Sequence, residues 1–148
     1  MASTFAAPAG ISSRGQQTVS DVDVVRRAYA ALNAGDLDTL ETLFAWDAVW
    51  TMPGTGAMSG VHKGWPAIRD EFLLLLGPLS GGTLCAELVD VAVGETYVVA
   101  IQRTSGCLKG RTLNVTSCQL VRMRHGLIAE VSGLYTADQL AEIGAFWV

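Results

Sequence analysis

Hydrophobic positions along this chain change period once, near residue 83. Before that point they recur at helical spacing: Val22, Val25, Ala28 and Leu32, then Leu37, Leu40, Leu43 and Phe44, then Ile68 and Phe72. Ser20 is placed to open the first helix, with Asp23 three residues on as a weak capping-box partner and early acids at the positive helix end. Gly35 ends that helix and Asp36 caps the second. Pro66 in a first turn starts the third helix, and Gly77-Pro78 closes it. Between the second and third, Val49 to Met52 reads as a strand stopped by Pro53-Gly54, and a glycine-rich loop runs on to Gly64.

From Thr83 onward the pattern is extended. Thr83–Val93, Thr96–Thr104, Thr112–Met123 and Leu127–Tyr135 are rich in β-branched residues and read as strands. Gly94-Glu95, the Ser105 to Gly110 loop and His125-Gly126 supply the turns between them. Ala137 to Trp147 reads as a final helix. Helices first and a strand meander afterwards predict an α+β domain, its helices packed on one face of a curved antiparallel sheet. Residues 1–18, rich in Ala, Ser, Gly and Pro without periodicity, are expected to be a disordered tail, and 19–148 a single domain.

At 148 residues there is material for one domain, and 50% hydrophobic against 16% charged residues supports a sizeable core. A net charge of −4 offers no basic face for nucleic acid; the basic residues are scattered apart from Arg122, Arg124 and His125 at a hairpin tip. Cys85, Cys107 and Cys118 lack metal-ligand spacing and are expected to be free thiols, some of them small core residues. No apolar run reaches membrane-spanning length, and the first residues lack the basic start and apolar run of a signal peptide, so a cytoplasmic protein is expected. No Cys/His/Asp cluster suggests a metal, and Gly54-Thr55-Gly56 lacks the lysine of a phosphate loop, so no cofactor is expected.

Several strings, taken in order, resemble the SnoaL-like polyketide cyclase branch of the nuclear transport factor 2 and ketosteroid isomerase superfamily. They are Leu32-Asn33-Ala34-Gly35-Asp36, Leu43-Phe44-Ala45 with Asp47-Ala48-Val49-Trp50, Met52-Pro53-Gly54, Ser59-Gly60 with Gly64 and Ile68, Gly81-Gly82-Thr83, Gly126-Leu127-Ile128-Ala129-Glu130, and Phe146-Trp147. The resemblance implies a cone-shaped curved sheet wrapped around the N-terminal helices and enclosing one deep pocket for a small hydrophobic organic ligand. It also implies a homodimer through the outer sheet face, consistent with the alternation of Cys118 and Leu120 with Ser117 and Gln119. Because this fold carries isomerases, epoxide hydrolases, cyclases and non-catalytic binders, the site residues have to decide the activity.

The acids of each branch are missing. Where the isomerases place their base stands Met52, their second acid matches Gln119, and their donor tyrosine falls at Ala28, one step from Tyr29. An epoxide-hydrolase-like site would put its water-holding residues at Trp50 and Met52 and a carboxylate at Gly133. Its Arg/Asp pair would fall near Ala100 and Gln102, leaving Arg103 one residue out of phase and hence on the other face. The last-strand aspartate of the SnoaL cyclases again matches Gly133, and its histidine partner matches Gln119.

Neutral polar groups remain. Gln119, Gln102 and Tyr135 are candidate catalytic groups able to polarise a carbonyl, although the two amides can equally satisfy each other or the backbone. His62, in the loop before the third helix, is a candidate acid or base near neutral pH, or a solvated loop residue. Trp50, Met52, Tyr29, Ser117, Phe72, Val131 and Gly133 are the candidate substrate-binding wall. The expected activity is a cofactor-free cyclase or isomerase acting on an apolar polyketide-like intermediate, for example by a [4+2] cyclisation. The competing expectations are a non-catalytic binding domain and an acid/base isomerase or epoxide hydrolase using His62.

Overall fold

In the computed structural model the backbone is described for residues 7–148 and the side-chain surroundings from Asp21 onward. Helix α1 spans Ala7–Ala34, so Ser20 lies inside it rather than at its start. Residues 1–6 of the expected tail lie outside the described residues, and the remainder of that stretch forms the first turns of α1. Gly35, at φ 69°, ends α1, and the Asp36 side chain then accepts from Thr39 N at 3.0 Å to cap α2, Leu37–Leu43.

Phe44 opens strand β1, Phe44–Met52, instead of closing α2. The glycine-rich segment contains a strand of its own: β2, Gly60–Lys63, pairs antiparallel with β1 and places His62 opposite Trp50. His62 therefore belongs to the sheet, not to a loop. The expected third helix is three pieces: α3, Trp65–Ile68, a π-helical turn over Arg69–Leu73, and α4, Leu74–Leu79, with Pro78 in its last turn. Gly77-Pro78 does not end it. Ser80 does, its fully buried hydroxyl donating to Gly77 O at 3.1 Å and accepting from Leu84 N at 3.2 Å.

Strands β3 (Cys85–Val93), β4 (Val98–Leu108), β5 (Arg111–Arg124) and β6 (Leu127–Leu134) follow, then α5, Ala137–Phe146. The expected Ser105–Gly110 loop is strand as far as Leu108. The reversal is made by Lys109-Gly110, both at positive φ (51° and 79°), as it is by His125-Gly126 (53° and 78°). The six-stranded order is β2-β1-β6-β5-β4-β3, and β1 runs parallel to β6, so the sheet is mixed rather than wholly antiparallel. Register shifts in β1–β6, β3–β4 and β5–β6 bend it.

The concave face carries Val98, Ala100, Leu113, Val115, Val121 and Val131 against Val25, Ile68, Phe72 and Phe146 from the helices, all buried. The Asn33 amide fastens α1 to the edge strand β3, donating to Ala86 O at 2.8 Å and accepting from Ala86 N at 2.9 Å. On the convex face Val99, Ile101, Cys118 and Leu120 are half-buried and Leu134 is exposed. Cys85 and Cys107 are exposed, so none of the three free thiols is a core residue; β3 and β4 turn both outward. The basic hairpin tip is neutralised by Arg122–Glu130, at 2.7 Å, and Arg124–Asp47.

Candidate functional site

Curvature of the sheet leaves a cavity of about 490 Å3 between its concave face and α1, α2, the π-helical turn and α4. Its walls divide by chemistry. Helix α1 gives Val25, Ala28, Tyr29 and Leu32 at one-turn spacing, and β1 gives Trp50 and Met52, alternate residues of one strand face. An aromatic side is built by Phe44, Trp50 and Phe72: the Trp50 ring stacks on Phe44 at 6.0 Å and leans on Phe72 at 5.0 Å. Behind it Phe44 packs on Trp65, whose indole N–H donates to Glu41 at 2.9 Å and is thereby satisfied outside the cavity.

Opposite lie two pairs of neutral polar groups. Tyr29 donates its hydroxyl to Gln102 Oε1 at 2.5 Å, and Gln102 Nε2 donates to Thr104 Oγ1 at 2.9 Å. Gln119 Nε2 donates to Tyr135 Oη at 2.9 Å. Each glutamine thus meets a tyrosine and not the other glutamine. In the antiparallel β4–β5 register Gln119 faces Ala100 and Gln102 faces Ser117, which makes the two amides diagonal neighbours on one face.

Among the described residues no Asp, Glu, Lys, Arg or His lines the cavity; its only titratable side chains are Tyr29 and Tyr135. Burial, and then the proximity of Tyr135, holds the Tyr29 phenol well above its ordinary range. Burial likewise pushes Tyr135 up, partly opposed by hydrogen bonding from Gln119 and from the Ser117 hydroxyl. Both phenols are therefore neutral at physiological pH and act as hydrogen-bonding groups, not as bases.

The structure brings Gln119, Gln102, Tyr135, Trp50, Met52, Tyr29, Phe72 and Val131 onto this one cavity. It leaves three others outside the lining. His62 is 8% exposed and lies outside the lining, its ring 5.1 Å from that of Phe72. Neither ring nitrogen has a hydrogen-bond partner; the Glu71 carboxylate stands 3.8 Å from Nδ1. Ser117 is buried outside the lining, its hydroxyl beside the Tyr135 phenol. Gly133 is covered by the Tyr135 ring: a β-carbon there would stand 2.4 Å from Tyr135 Cε2 and 3.2 Å from Gln119 Oε1.

Thr104, Asn33, Leu73, Leu76 and Trp147 also line the cavity and were not expected. Thr104 was accessible to alternation, two residues from Gln102 on the same strand face. The leucines were not, because a π-helical turn rotates them away from any α-helical count.

Comparison with known proteins places this geometry. The model of the SnoaL-like domain matches residues 25–131. The uncharacterized protein Rv0034 of Mycobacterium tuberculosis is 32% identical over 132 residues, 86% of this chain and 96% of that one. Bal32a, from a soil-derived mobile gene cassette, is 31% identical with a TM-score of 0.83, covering 89% of this chain and 99% of its own. TerC, co-crystallized with polyporic acid, shares the fold at 18% identity and a TM-score of 0.74, over 85% of this chain and 98% of its own. Where the resemblance implies a last-strand acid, the Tyr135 phenol lies over Gly133. The chain belongs to the SnoaL-like domain family of the nuclear transport factor 2 superfamily.

Proposed function

We propose that this protein is a cofactor-free cyclase or isomerase whose substrate is a small, largely apolar, polyketide-like intermediate folded inside the cavity. The observation that carries this reading is a cavity of about 490 Å3 walled by apolar and aromatic side chains, with two phenol–amide pairs and no charged group among the described residues. That volume falls within the roughly 300–1,000 Å3 usual for small-molecule sites. A ligand in TerC, on the same fold, supports the use of the scaffold for organic guests.

The chemistry available is positional and electrostatic. A flexible chain pressed between the Trp50–Phe72 side and the sheet gives up its rotations on binding and not during reaction. Tyr135 accepts from Gln119, which leaves its own proton free and polarised for a substrate carbonyl. One such donor in a dry site is worth about 3 kcal/mol in a transition state that gathers charge on oxygen. A [4+2] cyclisation suits these groups: two π bonds become two carbon–carbon σ bonds, no proton moves, and an activated dienophile carbonyl accelerates it. Gln102, held by Tyr29 and Thr104, can orient a second oxygen.

The test is a linear polyenone whose intramolecular [4+2] closure is slow in buffer. The protein should accelerate closure, and Tyr135→Phe should remove about 100-fold or more of the acceleration while the fold is retained. Saturable binding without acceleration, for every polyenone tried, would instead make this a binding domain. The same reading places a second copy of the chain on the convex face, where Val99, Ile101, Leu120 and Leu134 form an apolar surface.

A further inference from the structure

The two phenol–amide pairs are wired in opposite senses. An amide oxygen can only accept, so the Tyr29 hydroxyl spends its proton on Gln102 Oε1, at 2.5 Å. What Tyr29 leaves for a ligand is an oxygen lone pair, made more basic by the bond it donates. An amide nitrogen can only donate, so Tyr135 accepts from Gln119 Nε2, at 2.9 Å, and leaves its O–H proton for a ligand. One tyrosine therefore offers an acceptor and the other a donor, on the same cavity.

We propose that the cavity selects an uncharged molecule carrying a carbonyl, received by Tyr135, and a separate hydroxyl or enol, received by Tyr29. This rests on the reading of the cavity as a substrate site and narrows it to hydroxy-carbonyl compounds. A diketone would leave the Tyr29 lone pair facing a second lone pair, and a diol would set a hydroxyl proton against that of Tyr135. A carboxylate would enter a space without a single cation among the described lining residues. Desolvating that anion without a counter-charge costs more than the two hydrogen bonds return. Selection by charge and selection by hydrogen-bond sense thus come from the same four side chains.

The experiment is a binding series on a two-ring skeleton, read by quenching of tryptophan fluorescence and confirmed by calorimetry. The probes are 6- and 7-hydroxy-1-tetralone, their methyl ethers, 5,6,7,8-tetrahydro-2-naphthol and 6-hydroxy-2-naphthoate. The better hydroxy-tetralone should bind about tenfold more tightly than its methyl ether and than the tetrahydronaphthol, each of which lacks one bond. The naphthoate should bind more weakly still. Tyr29→Phe should abolish the preference for hydroxyl over methoxyl alone, and Tyr135→Phe the preference for the ketone alone. Equal binding of the hydroxyl and methoxyl compounds, or tighter binding of the naphthoate, overturns this assignment while the cavity keeps its standing as a ligand site. Binding by none of the six overturns that standing too.

Discussion

The ring of Tyr135 occupies the space that a side chain at Gly133 would need: a β-carbon built on Gly133 stands 2.4 Å from Tyr135 Cε2. Real contacts never close to that distance, so any side chain at 133 must drive the phenol away. The contact explains why an acid at this position and the phenol–amide pair exclude each other.

Gly133→Ala should therefore displace Tyr135, break its bond to Gln119 and destabilise the protein by about 1–3 kcal/mol. Chemical denaturation measures the loss. Gly133→Ala combined with Tyr135→Ala should be less destabilised than the sum of the two single variants, because removing the ring relieves the clash. Strict additivity would show that the two positions do not compete.

Gln102 bonds to Tyr29, 73 residues away on α1, and to Thr104 on its own strand, so its two ends are satisfied by different elements. Gln102→Leu, of similar size, should leave the Tyr29 proton unpartnered and cost about 1–3 kcal/mol, whereas Gln102→Leu with Tyr29→Phe should recover part of it. The recovery, read as a positive coupling in a double-mutant cycle, is the measurement.

Raised phenol pKa values make a stability prediction with a definite sign. Unfolded tyrosines ionise near 10.0, while folded Tyr29 and Tyr135 hold their protons to higher pH. Above pH 10.0 the unfolded chain binds fewer protons than the folded one, so stability must fall as pH rises, and it is fully present below. Tyr29→Phe should flatten that part of the curve. Urea midpoints between pH 8 and 11 would show no difference from the native protein if Tyr29 were solvated.

His62 is buried against Phe72 with both ring nitrogens unpartnered, an arrangement that benefits from the ring and little from its polarity. His62→Phe should thus leave stability within about 1 kcal/mol of the native protein. A pH–rate profile that loses a break near neutral pH in this variant would restore the acid/base reading of His62.

On the convex face, Leu120 and Leu134 border Cys118. Leu134→Asp should lower the oligomeric state in sedimentation and speed alkylation of Cys118, whereas Cys85 and Cys107, already exposed, should react equally in both proteins.

Much of this architecture could be read without coordinates, because the four later strands are β-branched runs bounded by glycine turns and because Asp36 and Gly35 announce a helix boundary. Strand β2 was illegible. Gly60-Val61-His62-Lys63 has no strand propensity beyond one valine and becomes a strand only by lying along β1. The third helix looked continuous because a π-helical turn leaves no mark in composition. Within the cavity, Gln102, Gln119 and Tyr135 were recognisable as polar residues on inward-facing positions, with Tyr29 beside the inward stripe of its helix. Their pairing was not, since it depends on how closely α1 approaches β4 and on a ring folding back over Gly133, both set by tertiary packing.

Parallel pairing of β1 with β6 sets Trp50 directly beside Val131, two lining residues far apart in the sequence. The walls thus meet only when the two strands of that pair have come together. Occupancy then reports on completion of the entire domain, and a guest that binds only the finished state strengthens every element at once, including those it never touches.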